Sequence, residues 1–464
     1  MSIERLKATL LVVVTLTTLF HLVGGNLWVQ GVGILALGGY LITLRGHFSG
    51  MARGLLLVAA SLTLIAIWQV DSPGRLLFDA AGRFAFFVTF IVALSLLRLP
   101  AYRSRLVRRC GKSMLLQPPS RRYPILSLGS ALFGIILNIG VLNLFASMIE
   151  KSNTLAAAGG HAWVQRVRQR RMMLALLRGF SLAPLISPMG IGVAVVLSSM
   201  PDLTWRELAP YVLGAALLIF VAGWAIDHLT GPKPPLTAAE KPTPSLLPLG
   251  QFSILLAGIV MLVFSLSWWL ELRLPIAALL GAPAGAFIWL AWQRRRLGGL
   301  GVVAAGFSMH RQLPWLLAPA SNELVVLGTA GYLGHLCVGL VDTASLATAL
   351  AFLDALGGFN VVIAMLTVTL LAQIGINPIV TVTLLAGLLP QLAIEGLTLP
   401  LIGAALMVGW AFALMSSPMT ASMLILSRFT AVPATRIGYR WNGFFLCAAV
   451  PLLATWFLLA RFGS

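Results

Sequence analysis

Apolar stretches long enough to cross a lipid bilayer recur along the whole chain, and they constrain its fold more than any other feature. A helix needs about 20 predominantly apolar residues to span the hydrocarbon core. Only 10% of the residues are charged, against roughly 25% in an average soluble protein. No long polar segment is left for a separate soluble domain. The pattern predicts an all-α polytopic membrane protein.

We predict about 11 transmembrane helices plus two re-entrant hairpins, arranged in two inverted repeats. The spans lie near residues 7–24, 27–45, 52–70, 77–98, 173–200, 206–228, 248–270, 274–292, 314–339, 400–427 and 441–461. The predicted units are a leading transmembrane helix (1–26), a first repeat (27–228), a cytoplasmic linker (229–247) and a second repeat (248–464).

Basic residues predict the topology. Arginine and lysine cluster on both sides of the interrupted apolar segment 123–150, at 98–122 and at 151–171. Positive loops stay cytoplasmic, so this segment is predicted to enter the membrane and return as a hairpin. Residues 359–391 form the second predicted hairpin, and the N-terminus is then cytoplasmic and the C-terminus outside. The net charge of +19 fits this topology and does not require a nucleic-acid partner; attraction of anionic lipid or an anionic solute is the alternative.

A short internal repeat marks two further spans as broken helices. Residues 178–189 align without gaps with residues 408–419, so that Ser187-Pro188-Met189 meets Ser417-Pro418-Met419. Gly179 meets Gly409, Phe180 meets Trp410 and Ala183 meets Ala413. The breaks fall within the predicted spans 173–200 and 400–427.

The predicted hairpins also share a motif. Asn138-Ile139-Gly140-Val141 parallels Gln373-Ile374-Gly375-Ile376. Each half therefore holds a hairpin, a broken span and a final span in the same order, and the predicted topology gives the two halves opposite directions. Inverted repeats of this kind are frequent in secondary transporters.

The breaks suggest a binding site. A proline within a helix frees a carbonyl group, which can bind a cation, and the half-helix after the break presents a positive end that suits an anion. The candidate substrate-binding residues are Asn138, Gly140, Asn143, Ser187, Pro188, Gln373, Gly375, Asn377, Thr381, Ser416, Ser417, Pro418 and Thr420. A Na⁺ site is predicted near Asn138, Ser187, Asn377 and Ser417. Neither break carries a carboxylate, so an acidic proton carrier is not evident at the site centre.

Few ionisable residues lie within the predicted spans. Arg178 is close enough to the cytoplasmic end of its span to extend its charge to the surface, and the alternative is that it guides an anion. Asp79 and Arg83, one helical turn apart, are predicted to pair with each other. His335 and Asp342 are predicted at a solvated loop edge.

At the hairpins and Ser-Pro breaks the chain resembles the ion transporter superfamily, which includes the divalent anion/sodium symporters. The resemblance implies a leading helix, two inverted repeats, elevator-type transport, Na⁺ as a coupling ion and a homodimer. The symporters carry a Ser-Asn-Thr signature in each half. Here Ser152-Asn153-Thr154 lies at the exit of the first hairpin, and the second half reads Ile376-Asn377-Pro378 with Thr381 following.

The sequence therefore predicts a secondary active transporter for a small anionic solute, coupled to Na⁺ or H⁺, in a bacterial inner membrane. The alternative is a lipid flippase or the membrane subunit of a transport complex. An enzyme is not expected, since DDxxD, HExxH and GxSxG motifs are absent from the sequence. Cys110, Cys337 and Cys447 show no CxxC spacing, which argues against disulfides and metal clusters, and no cofactor is expected.

Overall fold

The computed structural model describes residues 3–231, 244–392, 394 and 396–460. Its described residues form α-helices and contain no β-strand, and several connections between the α-helices hold 3-10 helices or, at Arg436–Trp441, a π-helix. The helices are α1 (Ile3–Gly24), α2 (Leu27–Thr43), α3 (Gly50–Gln69), α4 (Pro73–Leu96), α5 (Arg98–Arg103), α6 (Arg105–Leu115), α7 (Pro119–Leu137), α8 (Gly140–Ser152), α9 (Ala162–Ile186), α10 (Ile191–Ser199), α11 (Trp205–Thr230), α12 (Leu247–Trp269), α13 (Leu274–Gln293), α14 (Leu300–Leu317), α15 (Ser321–Leu340), α16 (Thr343–Ala349), α17 (Phe359–Gln373), α18 (Pro378–Leu388), α19 (Leu399–Ser416), α20 (Ala421–Thr430) and α21 (Gly443–Ala460).

The all-α polytopic prediction is confirmed. Within the described ranges, ten helical stretches are long and apolar enough to cross a membrane. They correspond to the predicted spans except 27–45, where α2 is apolar but has only 17 residues. Helix α4 packs against α15, and these two long helices also contact α13 and α3 respectively.

Both predicted broken helices are interrupted at their Ser-Pro motifs. Helix α9 ends at Ile186 and α10 begins at Ile191, while α19 ends at Ser416 and α20 begins at Ala421. Ser187 and Ser417 both close the first segment with extended backbone. The following proline has no N–H to continue the ladder, so both helices stop at the same point of the motif.

Each segment predicted as a hairpin consists of two short helices joined by a tight turn. Helices α7 and α8 are separated by Asn138 and Ile139, and both pack against α9. Helices α17 and α18 are separated by residues 374–377, and both pack against α19. Each pair of arms therefore lies on the broken helix of its own half.

Two glycines allow the first arm of each hairpin to approach the broken helix. A Cβ added at Gly179 in α9 would overlap Ser127 O in α7, and one added at Gly409 in α19 would overlap Met365 O in α17. The matched glycines of the internal repeat therefore have the same packing role.

The Ile-Gly match between the hairpins is wrong. The equivalent contacts at Ser127 and Met365 align the start of α8, Gly140, with the start of α18, Pro378, because the sequence interval is the same in both halves. Gly375 instead lies in the turn with φ +95°, whereas Gly140 is the first residue of a helix. In the first hairpin, Asn138 has the positive φ, 49°.

Two predicted segments need correction, and a third lies mostly outside the described residues. The predicted span 314–339 runs across two helices, since residues 314–317 end α14 and α15 begins at Ser321. The predicted basic loop after residue 98 is helical, as α5 and α6. Most of the predicted linker 229–247, residues 232–243, lies outside the described residues, and its ends belong to α11 and α12.

Candidate functional site

A cavity of about 600 Å³ lies where the hairpins and the broken helices meet. It is lined by both hairpin turns, both helix breaks, the start of α3, the end of α4, the first residue of α5 and the start of α15. This volume is typical of sites for organic small molecules. Most of the lining side chains are apolar, and a few polar groups converge on the same space.

The turn of the first hairpin contributes Asn138 and Ile139 to the cavity. Asn138 adopts φ 49° and ψ −138°, a region that is unfavourable for residues other than glycine and costs on the order of 1–3 kcal/mol. Its side-chain Nδ2 donates a hydrogen bond of 2.8 Å to Glu323 Oε1 at the start of α15. This bond joins the hairpin to the α4–α15 helix pair and offsets part of the strain.

The turn of the second hairpin contributes Gly375, Ile376 and Asn377. Asn377 caps α18, because its Oδ1 accepts a 2.9 Å hydrogen bond from Ile379 N. Its Nδ2 contacts Met51 Sδ at 3.6 Å, which brings the start of α3 to the cavity. The positive φ at Gly375 explains why glycine stands in this turn.

The helix breaks form the remaining polar wall. Ser187 and Gly190 line the cavity from the first break, and Thr420 and Ser422 from the second. Gly190 N donates to Ser187 O at 3.1 Å, and Thr420 N donates to Ser417 O at 3.2 Å. The half-helices α10 and α20 therefore begin at the cavity in the same way.

The two breaks differ in how their polar atoms are satisfied. In the second break, Leu414 O accepts a 2.8 Å bond from Ser422 Oγ, and Ser417 Oγ donates to Ala372 O at 2.6 Å. Asn442 Nδ2 donates to Met415 O at 3.0 Å. The second break is thus closed by side chains of the protein itself.

In the first break, the corresponding atoms lack such partners among the described residues. Gly192 stands where the second half has Ser422, so no hydroxyl reaches Pro184 O. Ser187 Oγ is buried and has no hydrogen-bond partner. Since buried polar atoms normally have partners, the first break is the side of the cavity with open capacity for a ligand.

The structure brings together five of the thirteen predicted residues at the cavity: Asn138, Ser187, Gly375, Asn377 and Thr420. It does not bring the others there. Asn143 is exposed on α8, and Gly140 faces Tyr102. Gln373 Nε2 donates to Ser416 Oγ at 2.9 Å behind the turn, and Thr381 is buried within α18. Ser417, Pro188 and Pro418 shape the breaks without lining the space.

Two charged residues at the cavity were missed. Glu323 and Arg98 both line it, and Glu323 Oε2 lies 3.9 Å from Arg98 Nη2. The sequence assigned Arg98 to a basic loop and gave Glu323 no role. A carboxylate is therefore present at the site, although neither Ser-Pro motif contains one. A single acid at the start of an apolar run was the only available signal for Glu323.

Arg178 does not extend to the membrane surface as predicted. It is buried, its Nε donates a 2.9 Å hydrogen bond to Asn442 Oδ1, and its guanidinium lies 4.2 Å from the ring centre of Phe445. It also lies outside the cavity lining, so it ties α9 to the start of α21 and does not face a solute there.

The structure contradicts the predictions for the Asp79–Arg83 pair and for His335, and it agrees with the prediction for Asp342. Arg83 does not form an ion pair with Asp79; its Nη1 donates to Ser198 O at 2.9 Å, at the end of α10. His335 is half-buried within α15 and does not lie at a loop edge. Asp342 does lie in a connection, where it caps α16 and accepts from Ala344 N.

No family model matches the chain, and no curated protein matches it. Several solved structures are similar, two of them transporters. The YdaH transporter of Alcanivorax borkumensis, described as having an unusual topology, is 15% identical, with 88% of this chain and 97% of that chain covered and a TM-score of 0.55.

The second is MtrF of Neisseria gonorrhoeae, described as illuminating a class of antimetabolite efflux pumps. It is 12% identical, with 89% of this chain and 96% of that chain covered and a TM-score of 0.54. Neither neighbour is described as a divalent anion/sodium symporter. The comparisons therefore do not support the predicted resemblance to that group in particular. Likeness at such identity concerns the fold alone: the chain has the fold of a multi-pass membrane transporter.

Proposed function

We propose that the protein is a secondary active transporter that moves a small anionic solute across the inner membrane. One observation carries this proposal: four short helices, α8, α10, α18 and α20, begin at or beside the same cavity. The N-terminus of a helix presents the positive end of its dipole, although the first N–H group of α18 is already capped by Asn377. Four such ends around one space favour an anion, as do half-helix ends in transporters with inverted repeats.

The first break is the proposed place for the coupling cation. Pro184 O has no partner from Gly192, and Ser187 Oγ is buried without one. Carbonyl and hydroxyl oxygens of this kind suit Na⁺, a hard cation that prefers oxygen ligands. Because the second break is already closed by Ser422 and Asn442, we place Na⁺ at the first break alone.

We further propose an elevator-like mechanism in which the hairpins and broken helices move together. Helix α8 contacts α20, α10 contacts α18, and α9 contacts α19, so these elements of the two halves form one body. The pair α4 and α15, with α3 and α13, forms a second body. The two bodies pack against each other where α15 meets α18 and where α10 meets α13, and hydrogen bonds such as those of Asn138 with Glu323 and Arg83 with Ser198 also join them. We propose that the second body also holds the interface of a homodimer.

Uptake into proteoliposomes tests the proposal. A panel of organic and inorganic anions is first screened for those that raise the unfolding midpoint of the detergent-purified protein. Uptake of the best radiolabelled ligand is then measured with an inward Na⁺ gradient, an inward H⁺ gradient or no gradient. Gradient-driven accumulation is the expected result, and equilibration without accumulation would contradict secondary active transport.

A pair of serine variants tests the location of the cation site. Ser187→Ala removes the unpartnered hydroxyl at the first break and is expected to raise the Na⁺ concentration needed for half-maximal uptake. Ser181→Ala is the matched control, because Ser181 lies buried in the same helix and its Oγ bonds only to Leu177 O, at 2.9 Å. Equal Na⁺ dependence in the two variants would exclude the first break.

A further inference from the structure

Arg98 is the only cationic side chain among the described residues that line the cavity. Its Nε is buried and has no hydrogen-bond partner. Its Nη2 lies 3.9 Å from Glu323 Oε2, which is too far for a hydrogen bond. Arg98 therefore lies in the cavity wall, and neither Nε nor Nη2 makes a hydrogen bond with the described residues.

A buried guanidinium without hydrogen-bond partners favours the binding of an anion of matching shape. Burying a charge without good partners is costly, and the side chain of Arg98 is only 15% exposed. The planar fork of arginine donors fits a carboxylate through two parallel hydrogen bonds. A bound carboxylate would replace a long contact to Glu323 and would not have to break a hydrogen bond.

Glu323 already has a hydrogen-bond partner other than Arg98. Its Oε1 accepts the 2.8 Å bond from Asn138 Nδ2, so it remains fixed when Arg98 turns to a ligand. A second carboxylate on the ligand would find no other cationic side chain among the described lining residues and would be repelled by Glu323. The charged side chains of the cavity therefore match one negative group and disfavour two.

The rest of the cavity matches an apolar body. Phe180 and Trp410, at equivalent positions of the two broken helices, both line it, together with Ile91, Leu94 and Leu414. A volume of about 600 Å³ is far larger than an inorganic anion needs. Transfer of an apolar group from water to this surface is favourable.

We propose that Arg98 is the receptor for the carboxylate of the transported solute, and that this solute is a monocarboxylate with an apolar body. The proposal rests on the transport function proposed above and specifies its substrate class. It makes Arg98 a residue that binds substrate and gives Glu323 the role of excluding dianions.

Four six-carbon probes test the proposal on the purified full chain. Hexanoate carries one carboxylate, adipate carries two, hexanamide has no charge and hexylamine is a cation. Dissociation constants come from the dependence of the unfolding midpoint on probe concentration. Hexanoate is expected to bind, and the other three are expected to bind at least about 10-fold more weakly, since each loses a charged hydrogen bond or gains a repulsion.

Variants locate the effect. Arg98→Gln is expected to weaken the binding of hexanoate about 10- to 100-fold, because charged hydrogen bonds are lost. Arg98→Lys keeps the charge but not the planar fork of donors. Its affinity for hexanoate is expected to lie between those of Arg98→Gln and the natural chain. Arg103→Gln is the matched control, because Arg103 lies in the same helix, is exposed and bonds Ser308 Oγ at 3.0 Å outside the cavity. A monodisperse size-exclusion profile shows that each variant folds.

Several results would overturn the proposal. They are equal binding of hexanoate and hexanamide, tighter binding of adipate, binding of hexylamine that is lost in Glu323→Gln, or no binding of hexanoate at all. Gradient-driven uptake of another solute with an unchanged KM in Arg98→Gln would overturn the role of Arg98 while leaving the transport function in place. Absence of gradient-driven uptake for every anion would instead overturn the transport function.

Discussion

Replacement of Gly179 by alanine tests the close packing between the first hairpin and the first broken helix. The added Cβ would overlap Ser127 O and lie 2.6 Å from Ser127 Cα. Both are backbone atoms, so no side chain can rotate away, and α7 has to move from α9. Such a shift would also strain the hydrogen bond from Ser130 Oγ to Leu176 O, 2.7 Å long, which joins the same two helices.

The magnitude follows from three contributions. Overpacking of a close contact costs about 1–3 kcal/mol. Loss of the Ser130 hydrogen bond costs about 1 kcal/mol. The higher helix propensity of alanine returns up to about 1 kcal/mol. We therefore expect Gly179→Ala to lower the free energy of unfolding by roughly 1–3 kcal/mol.

The assay is equilibrium unfolding in mixed micelles titrated with sodium dodecyl sulfate, followed by circular dichroism. Gly258→Ala is the control, since Gly258 is exposed on α12 and a Cβ there meets nothing within 4 Å. Gly409→Ala, at the equivalent contact with Met365 O, should lower the free energy of unfolding by a similar amount. The reasoning is refuted if Gly179→Ala is as stable as Gly258→Ala.

Three more predictions concern other parts of the chain. Asn442→Ala should lower the free energy of unfolding by about 2–4 kcal/mol in the same assay, because it leaves Arg178 without its acceptor and frees Met415 O; a loss no greater than that of the exposed control Asn143→Ala would contradict this. Gly192→Ser copies the hydroxyl that closes the second break, so the Na⁺ concentration for half-maximal uptake should rise; an unchanged value would count against Na⁺ at the first break. Burial raises the pKa of the Cys110 thiol to about 11, so with Cys337 and Cys447 replaced by alanine, maleimide labelling should be slow at pH 8 and accelerate about tenfold per pH unit up to that pKa; labelling at pH 8 as fast as in the unfolded chain would show that the thiol is neither buried nor protonated.

The features that the sequence predicted well are those with a local cause. Pro188 and Pro418 cannot donate to a helix ladder, so the breaks follow from the motif alone. Gly179 and Gly409 were matched by position in the repeat, and their shared contact with a hairpin arm gives the match a physical reason. The spans themselves follow from the length and apolar character of each stretch.

The conformations of the hairpin turns were harder to predict from the sequence. A glycine is compatible with a turn, a helix start or a close contact, so Gly140 and Gly375 looked alike although only Gly375 has a positive φ. The residue of the first hairpin that corresponds to Gly375 in the sign of φ is Asn138, and asparagine is one of the few non-glycine types enriched at positive φ.

The charged part of the site could not be read from the sequence because it depends on distant contacts. Glu323 meets Asn138 across 185 residues and meets Arg98 from another helix. Helix α14 was missed for a related reason: the polar residues His310, Arg311 and Gln312 interrupt its apolar pattern, although the helix packs against α13 and α1.

Two asparagines provide the most direct test that the cavity is the transport site. Asn138 lines the cavity and Asn143, on the same hairpin, is exposed. Asn138→Gly removes the side chain and keeps a residue that tolerates the positive φ. Gradient-driven uptake in proteoliposomes is predicted to fall at least about tenfold in Asn138→Gly, which loses a charged hydrogen bond, and to persist in Asn143→Ala. Equal uptake by the two variants would contradict a transport site in this cavity.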